Sequence, residues 1–214
     1  MARSDLRCLR VLGALLAYPS AALRAALPEI AAALRDERLI PVQQRPALLG
    51  FCELLAAADP LWTEERYVEL FDRGRATSLH LFEHVHGDTR DRGNAMVELK
   101  ALYRQAGFEL DAKELPDYLP VMLEYLSYRD LGETKEMLGD CAHILRRIGE
   151  ALYQRNSLYA AIFQALLSIA GEAGLDTKAN PPKTAEAEDL DADWFEQPAF
   201  APDAATSART RSCS

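Results

Sequence analysis

An all-α fold is predicted for this 214-residue chain by three observations. Apolar residues return at helical spacing almost throughout, capping residues stand where the apolar stripes begin, and no stretch alternates with the period of two expected of a half-buried strand. The expected architecture is a single globular helical domain of about eight to ten helices over residues 1–175, followed by a disordered acidic tail over residues 176–214. At this length folding buries roughly 70% of the surface that the unfolded chain exposes, so neither disulfides nor a metal is needed for stability.

The first stripe uses Leu6, Leu9, Leu12, Leu15 and Leu16 and is stopped at Tyr18-Pro19. A second uses Leu23, Leu27, Ile30 and Leu34, and a third helix covers Pro46 to Ala58. Asp59 is placed to cap a fourth, with Pro60 at its first position, running to about Phe71 and broken at Asp72-Arg73-Gly74. Ser78 can cap a short helix from Leu79 to His86, ended by Gly87, and Asp88 or Thr89 can open a longer one through Ala106, closed by Gly107. Asp111 and Glu114 have capping-box spacing. Pro116 and Pro120 then precede a helix carrying Val121, Leu123, Tyr125 and Leu126, and helices over Lys135–Arg155 and Ser157–Glu172 complete the set. Beyond Gly174 the chain turns to Pro181-Pro182 and an acidic run from Glu186 to Asp193, a composition that does not bury itself. Trp194, Phe195 and Phe200 are aromatic islands within it.

Composition narrows the function. The chain is 49% hydrophobic with a mean hydropathy of -0.16, ordinary for a soluble domain. The apolar segment Leu9 to Ala17 is too short to cross a bilayer and is followed by no cleavage-site pattern, so a cytoplasmic location is expected. Cys8, Cys52, Cys141 and Cys213 lie far apart and read as buried thiols. Acids outnumber bases 33 to 24. The resulting charge repels nucleic acid and anionic membranes and favours a basic partner.

Three of the four histidines fall between Tyr67 and Arg92. His80-Leu81-Phe82-Glu83-His84 matches the H-x-x-E-H pattern, in which two imidazoles one helical turn apart grip zinc and a carboxylate activates water. A peptidase also needs a scaffold for an extended substrate, and no strand is predicted. Alternatively His80, His84 and His86 hydrogen-bond to neighbouring acids or carbonyls. Asp72, Arg73, Arg75, Asp88, Arg90, Asp91 and Arg92 alternate in sign and either pair among themselves or face a partner. Around Leu119, Val121, Met122 and Leu123 stand Glu114, Asp117 and Glu124. They are either capping acids at a helix start or the carboxylate rim of an apolar groove for an amphipathic basic peptide.

The segments LFDRGRATSLHLFEHVHGDTRDRG and ELPDYLPVMLEYL resemble the NarJ-type chaperones, the delta subunits of respiratory nitrate reductase. The resemblance runs from the helix near Leu9 to about Leu175, with a weaker likeness at Asp-Trp-Phe-Glu-Gln-Pro in the tail. It implies an all-helical fold of the wider TorD-like group and no catalytic residue, cofactor or metal of the chaperone's own. It further implies a cytoplasmic chaperone that binds the N-terminal segment of the apo catalytic alpha subunit, supports molybdenum cofactor insertion and prevents early docking on the membrane subunit, without joining the finished enzyme. One signature segment holds Asp72, Arg73, Gly74, Ser78, His80, His84, His86, Asp88, Arg90, Asp91, Arg92 and Gly93; the second holds Leu115, Pro116, Asp117, Leu119, Pro120, Leu123 and Glu124.

The client is therefore expected between these segments, at Asp72, Arg73, Arg75, His80, His84, His86, Asp88, Arg90, Asp117, Leu119, Met122, Leu123 and Glu124. The chain itself is expected to be a monomer or weak dimer. The competing readings are a helical metal-dependent hydrolase using His80, Glu83 and His84, and a helical adaptor for other basic peptides.

Overall fold

The computed structural model describes residues 6–86, 90–111 and 114–177. Among them are ten α-helices: α1 (Arg7–Leu16), α2 (Ala21–Asp36), α3 (Arg45–Ala57), α4 (Pro60–Tyr67), α5 (Glu83–His86), α6 (Arg90–Gln105), α7 (Leu119–Ser127), α8 (Leu131–Asp140), α9 (Ala142–Gln154) and α10 (Ala160–Ala170). No strand occurs among the described residues, so the fold is all-α, with one isolated antiparallel bridge between His80 and Tyr118. None of these helices is long and apolar enough to cross a membrane.

The core is organised by two pairs of helices. α1 buries Leu9, Leu12, Leu15 and Leu16 completely and lies along α7. Gly13 permits this approach, because a Cβ there would stand 3.2 Å from the Pro120 carbonyl oxygen. The second pair is α10 on α9. Ile162, Phe163, Leu166 and Leu167 of α10 have no exposure, and Leu145, Ile148 and Leu152 of α9 have none either. Each such leucine contributes about 1.5–3 kcal/mol through removal from water.

Several helix ends follow the sequence closely. Ser20 caps α2 by accepting from Leu23 N at 3.3 Å, and Asp59 caps α4 by accepting from Trp62 N at 3.1 Å. Gly107, at φ 75°, follows α6 as expected. α10 closes at Gly171, whose φ of 83° lets Glu172 N reach back to the Leu167 carbonyl at 2.9 Å. Cys8 and Cys52 are buried, Cys141 is partly so, and burial pushes their thiols up to about 12, 11 and 12.

Other elements differ from the sequence reading. The fourth helix does not run evenly to Phe71; after Tyr67 it widens into a π-helical turn, Val68–Asp72, closed by Arg73 N on the Val68 carbonyl at 3.0 Å. The expected helix over Leu79–His86 shrinks to α5, because the main chain of Leu79 and Leu81 pairs with the segment before α7 instead. The capping-box spacing at Asp111 and Glu114 opens no helix; Glu114 N bonds the Asp111 carbonyl at 3.1 Å, and the next helix is α7. Finally, the single helix expected over Lys135–Arg155 is two, broken at Cys141 (φ −98°, ψ 7°), with α8 capped by Asp130 accepting from Glu133 N at 3.0 Å. The apolar stripe runs through that break, so periodicity could not reveal it; the bend lets both α8 and α9 pack on α10.

The described chain ends against the body. Leu175 fills the notch left by Gly149, where an added Cβ would fall 2.5 Å from its Cδ2. Leu175 N also donates to Gln164 Oε1 at 2.8 Å. The tail expected over residues 176–214 lies almost wholly outside the described residues.

Candidate functional site

The two signature segments meet at a seam. Leu119 N donates to the Leu79 carbonyl at 2.9 Å, and Leu81 N to the Asp117 carbonyl at 3.1 Å. Asp117 has no exposure. Its Oδ2 accepts from Phe82 N at 3.2 Å and lies 3.9 Å from the Arg92 guanidinium, while Oδ1 accepts from His80 Nδ1 at 3.3 Å. A carboxylate removed from water this completely is tolerable only with such donors around it.

The same interior satisfies its other polar groups. Ser78 Oγ donates to Glu83 Oε2 at 2.5 Å and accepts from His80 N at 3.2 Å; Glu83 Oε1 in turn takes Arg92 at 3.2 Å. His84 Nε2 donates to the Ser78 carbonyl at 2.9 Å, and burial pushes the pKa of its ring below the usual histidine value, helped by Arg147. H-x-x-E-H therefore does not form two imidazoles on one helix. His80 sits in the bridge, His84 in α5, and each ring has its own partner. Among the described residues, no three histidine, cysteine or acidic side chains gather as a metal site.

Beside the seam, α1, α4 and the π-helical turn enclose a cluster of rings. Tyr67 OH donates to the Leu16 carbonyl at 3.0 Å, so its oxygen accepts the hydrogen of Tyr118 OH at 3.1 Å. Tyr18 meets the Tyr67 ring edge-on at 5.5 Å, Phe71 lies 4.9 Å from Tyr67, and His80 tilts over Tyr118 at 5.2 Å. These rings surround a depression of about 300 Å³ that also has Asp72 and Leu79 in its wall. The π-helical turn positions it by carrying Phe71 inward and Asp72 outward, and Gly74 makes the following corner possible. A Cβ on Gly74 would lie 2.5 Å from the Leu70 carbonyl oxygen and 2.6 Å from Thr77 Oγ1.

Two further depressions share walls with this one. Through Tyr18 it adjoins a space of about 470 Å³ bordered by Leu61, Glu64, Glu65, Val68, Glu69 and Arg73. Through Tyr118 it adjoins one of about 460 Å³ that includes Arg7, Arg10, Val11, Glu114, Pro120, Val121 and Glu124. The three neighbouring depressions, called the groove below, are lined by six carboxylates (Glu64, Glu65, Glu69, Asp72, Glu114 and Glu124) and three guanidinium groups (Arg7, Arg10 and Arg73). Apolar walls under an acidic rim suit an amphipathic segment that carries positive charge.

The residues expected at the site divide accordingly. Asp72, Arg73, His80 and Glu124 line the groove. Asp117 and His84 belong to the seam, and Arg75 is exposed in the 3-10 turn Arg75–Thr77. Leu119 and Leu123 have no exposure and Met122 has 4%, so the apolar floor expected there is core, and Asp117 is not a rim carboxylate. The side chains of His86 and Arg90, and all of Asp88, lie outside the described residues. Sequence reasoning missed Tyr18, Tyr67, Phe71, Tyr118 and Glu64. The i, i+4 spacing of Tyr67 and Phe71 was the available signal, since it puts two rings on one helical face.

The described residues thus form an all-helical body whose two signature segments are stitched together beside acidic, ring-lined depressions. The sequence profile of the nitrate reductase delta subunit family matches residues 17–165, and the chain belongs to that family. It is 45% identical over 192 residues to the nitrate reductase molybdenum cofactor assembly chaperone NarJ of Escherichia coli (strain K12), covering 87% of this chain and 81% of that protein. With the same organism's NarW, described as a probable chaperone of the same kind, it shares 41% identity over 197 residues, 90% of this chain and 82% of the relative. The corresponding probable NarJ chaperone of Bacillus subtilis (strain 168) is 33% identical over 164 residues, 77% of this chain and 88% of that one.

Proposed function

We propose that this chain is a cytoplasmic assembly chaperone for respiratory nitrate reductase and not an enzyme. It binds the N-terminal segment of the apo catalytic alpha subunit, holds that subunit competent for molybdenum cofactor insertion, and delays its docking on the membrane partner. The observation that carries the peptide-binding part is the groove through Tyr18 and Tyr118, apolar in its walls and acidic at its rim. The nitrate reductase part is supported by the names of relatives that match most of this chain.

The client contacts we propose are Asp72, Arg73, His80 and Glu124, joined by Tyr18, Tyr118 and Glu64. His84 and Asp117 serve by holding the groove's wall in place. Calorimetric titration of the full chain with a peptide from the N-terminus of the alpha subunit tests the reading. One-to-one binding that weakens as salt is raised is expected, because the exposed rim charges are screened within about 10 Å at 0.1 M salt. Absence of binding, or amide shifts mapping to a face away from Tyr18 and Tyr118, would overturn it.

A further inference from the structure

The ring-lined depression beside Asp72 offers hydrogen-bond acceptors and almost no donors. Tyr67 commits its hydroxyl hydrogen to the Leu16 carbonyl and Tyr118 commits its own to Tyr67, so both oxygens face a newcomer only as acceptors. Tyr18 stands beside Glu64, whose carboxylate raises the pKa of the phenol and is itself only an acceptor. His80 turns Nδ1–H to Asp117. The remaining polar group in the wall is Asp72, which is exposed and has no hydrogen bond or ion pair among the described residues.

A wall of acceptors with one free carboxylate and several aromatic faces selects a particular occupant. An apolar side chain would cover Asp72 and leave its charge poorly solvated. An anion would meet like charge. A guanidinium or ammonium group has donors alone, satisfies Asp72, and gains from the ring faces. We infer that the pocket formed by Tyr18, Tyr67, Phe71, Tyr118 and Asp72 receives one arginine or lysine side chain of the bound segment, and so sets that segment's register along the groove. The inference rests on the proposed peptide-binding function for the source of the side chain, not for the chemistry of the pocket.

Two arms keep the pocket and the function separately testable. In the first, the full chain is titrated with N-acetyl-arginine amide, N-acetyl-lysine amide and the uncharged N-acetyl-citrulline amide, followed by NMR of the tyrosine rings. Saturable shifts at Tyr18 and Tyr118 with the charged probes, absent with citrulline and abolished in Asp72→Asn, are expected. In the second, the alpha-subunit peptide is titrated into wild type, Asp72→Asn, Tyr18→Leu and the distant control Tyr153→Leu. Asp72→Asn and Tyr18→Leu are expected to weaken binding by about tenfold and the control to leave it unchanged. Asp72 and Tyr18 are exposed, so both variants are expected to fold, which circular dichroism verifies. Charged probes that bind no better than citrulline, with a peptide that binds Asp72→Asn as tightly as wild type, would overturn the cation pocket and leave the peptide-binding function standing. Probes that bind while the peptide does not would support the pocket and overturn that function.

Discussion

The seam and the groove are built from neighbouring residues of the same signature segments, yet they treat polar groups in opposite ways. In the seam, Asp117, Glu83, Arg92, His80, His84 and Ser78 bond to one another and to the main chain. In the groove, Asp72 and the oxygen of Tyr118 are left facing an open space. The contrast teaches that a dense set of histidines and acids in a motif can be spent on internal bonds. Those residues stitch two distant parts of the chain together, and the proposed recognition surface lies one step to the side, on Tyr18 just after α1, Tyr67 at the end of α4 and Tyr118 in the bridge.

If that division is right, the largest effect of any single change should come from Asp117 and be an effect on stability. Asp117→Ala leaves Arg92, His80 and the Phe82 amide without their buried acceptor, and the loss of one partner from such a set costs about 3–5 kcal/mol. Urea unfolding followed by circular dichroism should show a midpoint far below wild type. A near-normal midpoint would mean that the seam is not holding the segments together.

Leu123→Ala sharpens the comparison from the apolar side. Leu123 is fully buried under α1, so the truncation should lower stability by about 2–5 kcal/mol. Client affinity measured well below the unfolding transition should stay within about twofold, since side chains without exposed surface offer a ligand little to bind. A large affinity loss in a variant of normal stability would return Leu123 to the binding surface.

Glu124→Lys is the mirror image. Glu124 is exposed on the groove, so its reversal should move stability by no more than about 0.5 kcal/mol. Affinity for the alpha-subunit peptide should fall several-fold at low salt and recover toward wild type as salt rises. Salt-independent weakening would indicate a steric effect and not loss of rim charge.

These contrasts also show what the sequence could and could not convey. Helix existence was legible because leucines at i, i+3 and i+4 leave few alternatives, and the cap at Asp59 and the glycine after α6 have local causes. The break at Cys141 and the short α5 were not legible, because both answer to distant partners: α10 for the first, the main chain of Asp117 and Leu119 for the second. The site was half legible. Charge and motif singled out two segments, and burial decides which of their carboxylates bracket the seam and which face solvent. Asp117 and Glu124, seven residues apart in one motif, are divided by it: the first has no exposure and the second is exposed.

The smallest expected effect concerns His84 and pH. Burial lowers its folded-state pKa below the ordinary value of 6.5, whereas the unfolded chain restores that value. The unfolded state therefore binds more protons in the window just below pH 6.5, and the neutral ring's contribution to stability, complete above that window, is lost as pH falls through it toward the lowered value. His84→Gln keeps an N–H that can reach the Ser78 carbonyl but takes up no proton. Denaturation midpoints of wild type and His84→Gln, measured from neutral pH downward, should converge as the wild type alone loses this contribution; the background from other titrating groups is common to both and cancels. Parallel curves would show that His84 protonates as readily in the fold as outside it, and would place its ring at the surface and not in the seam.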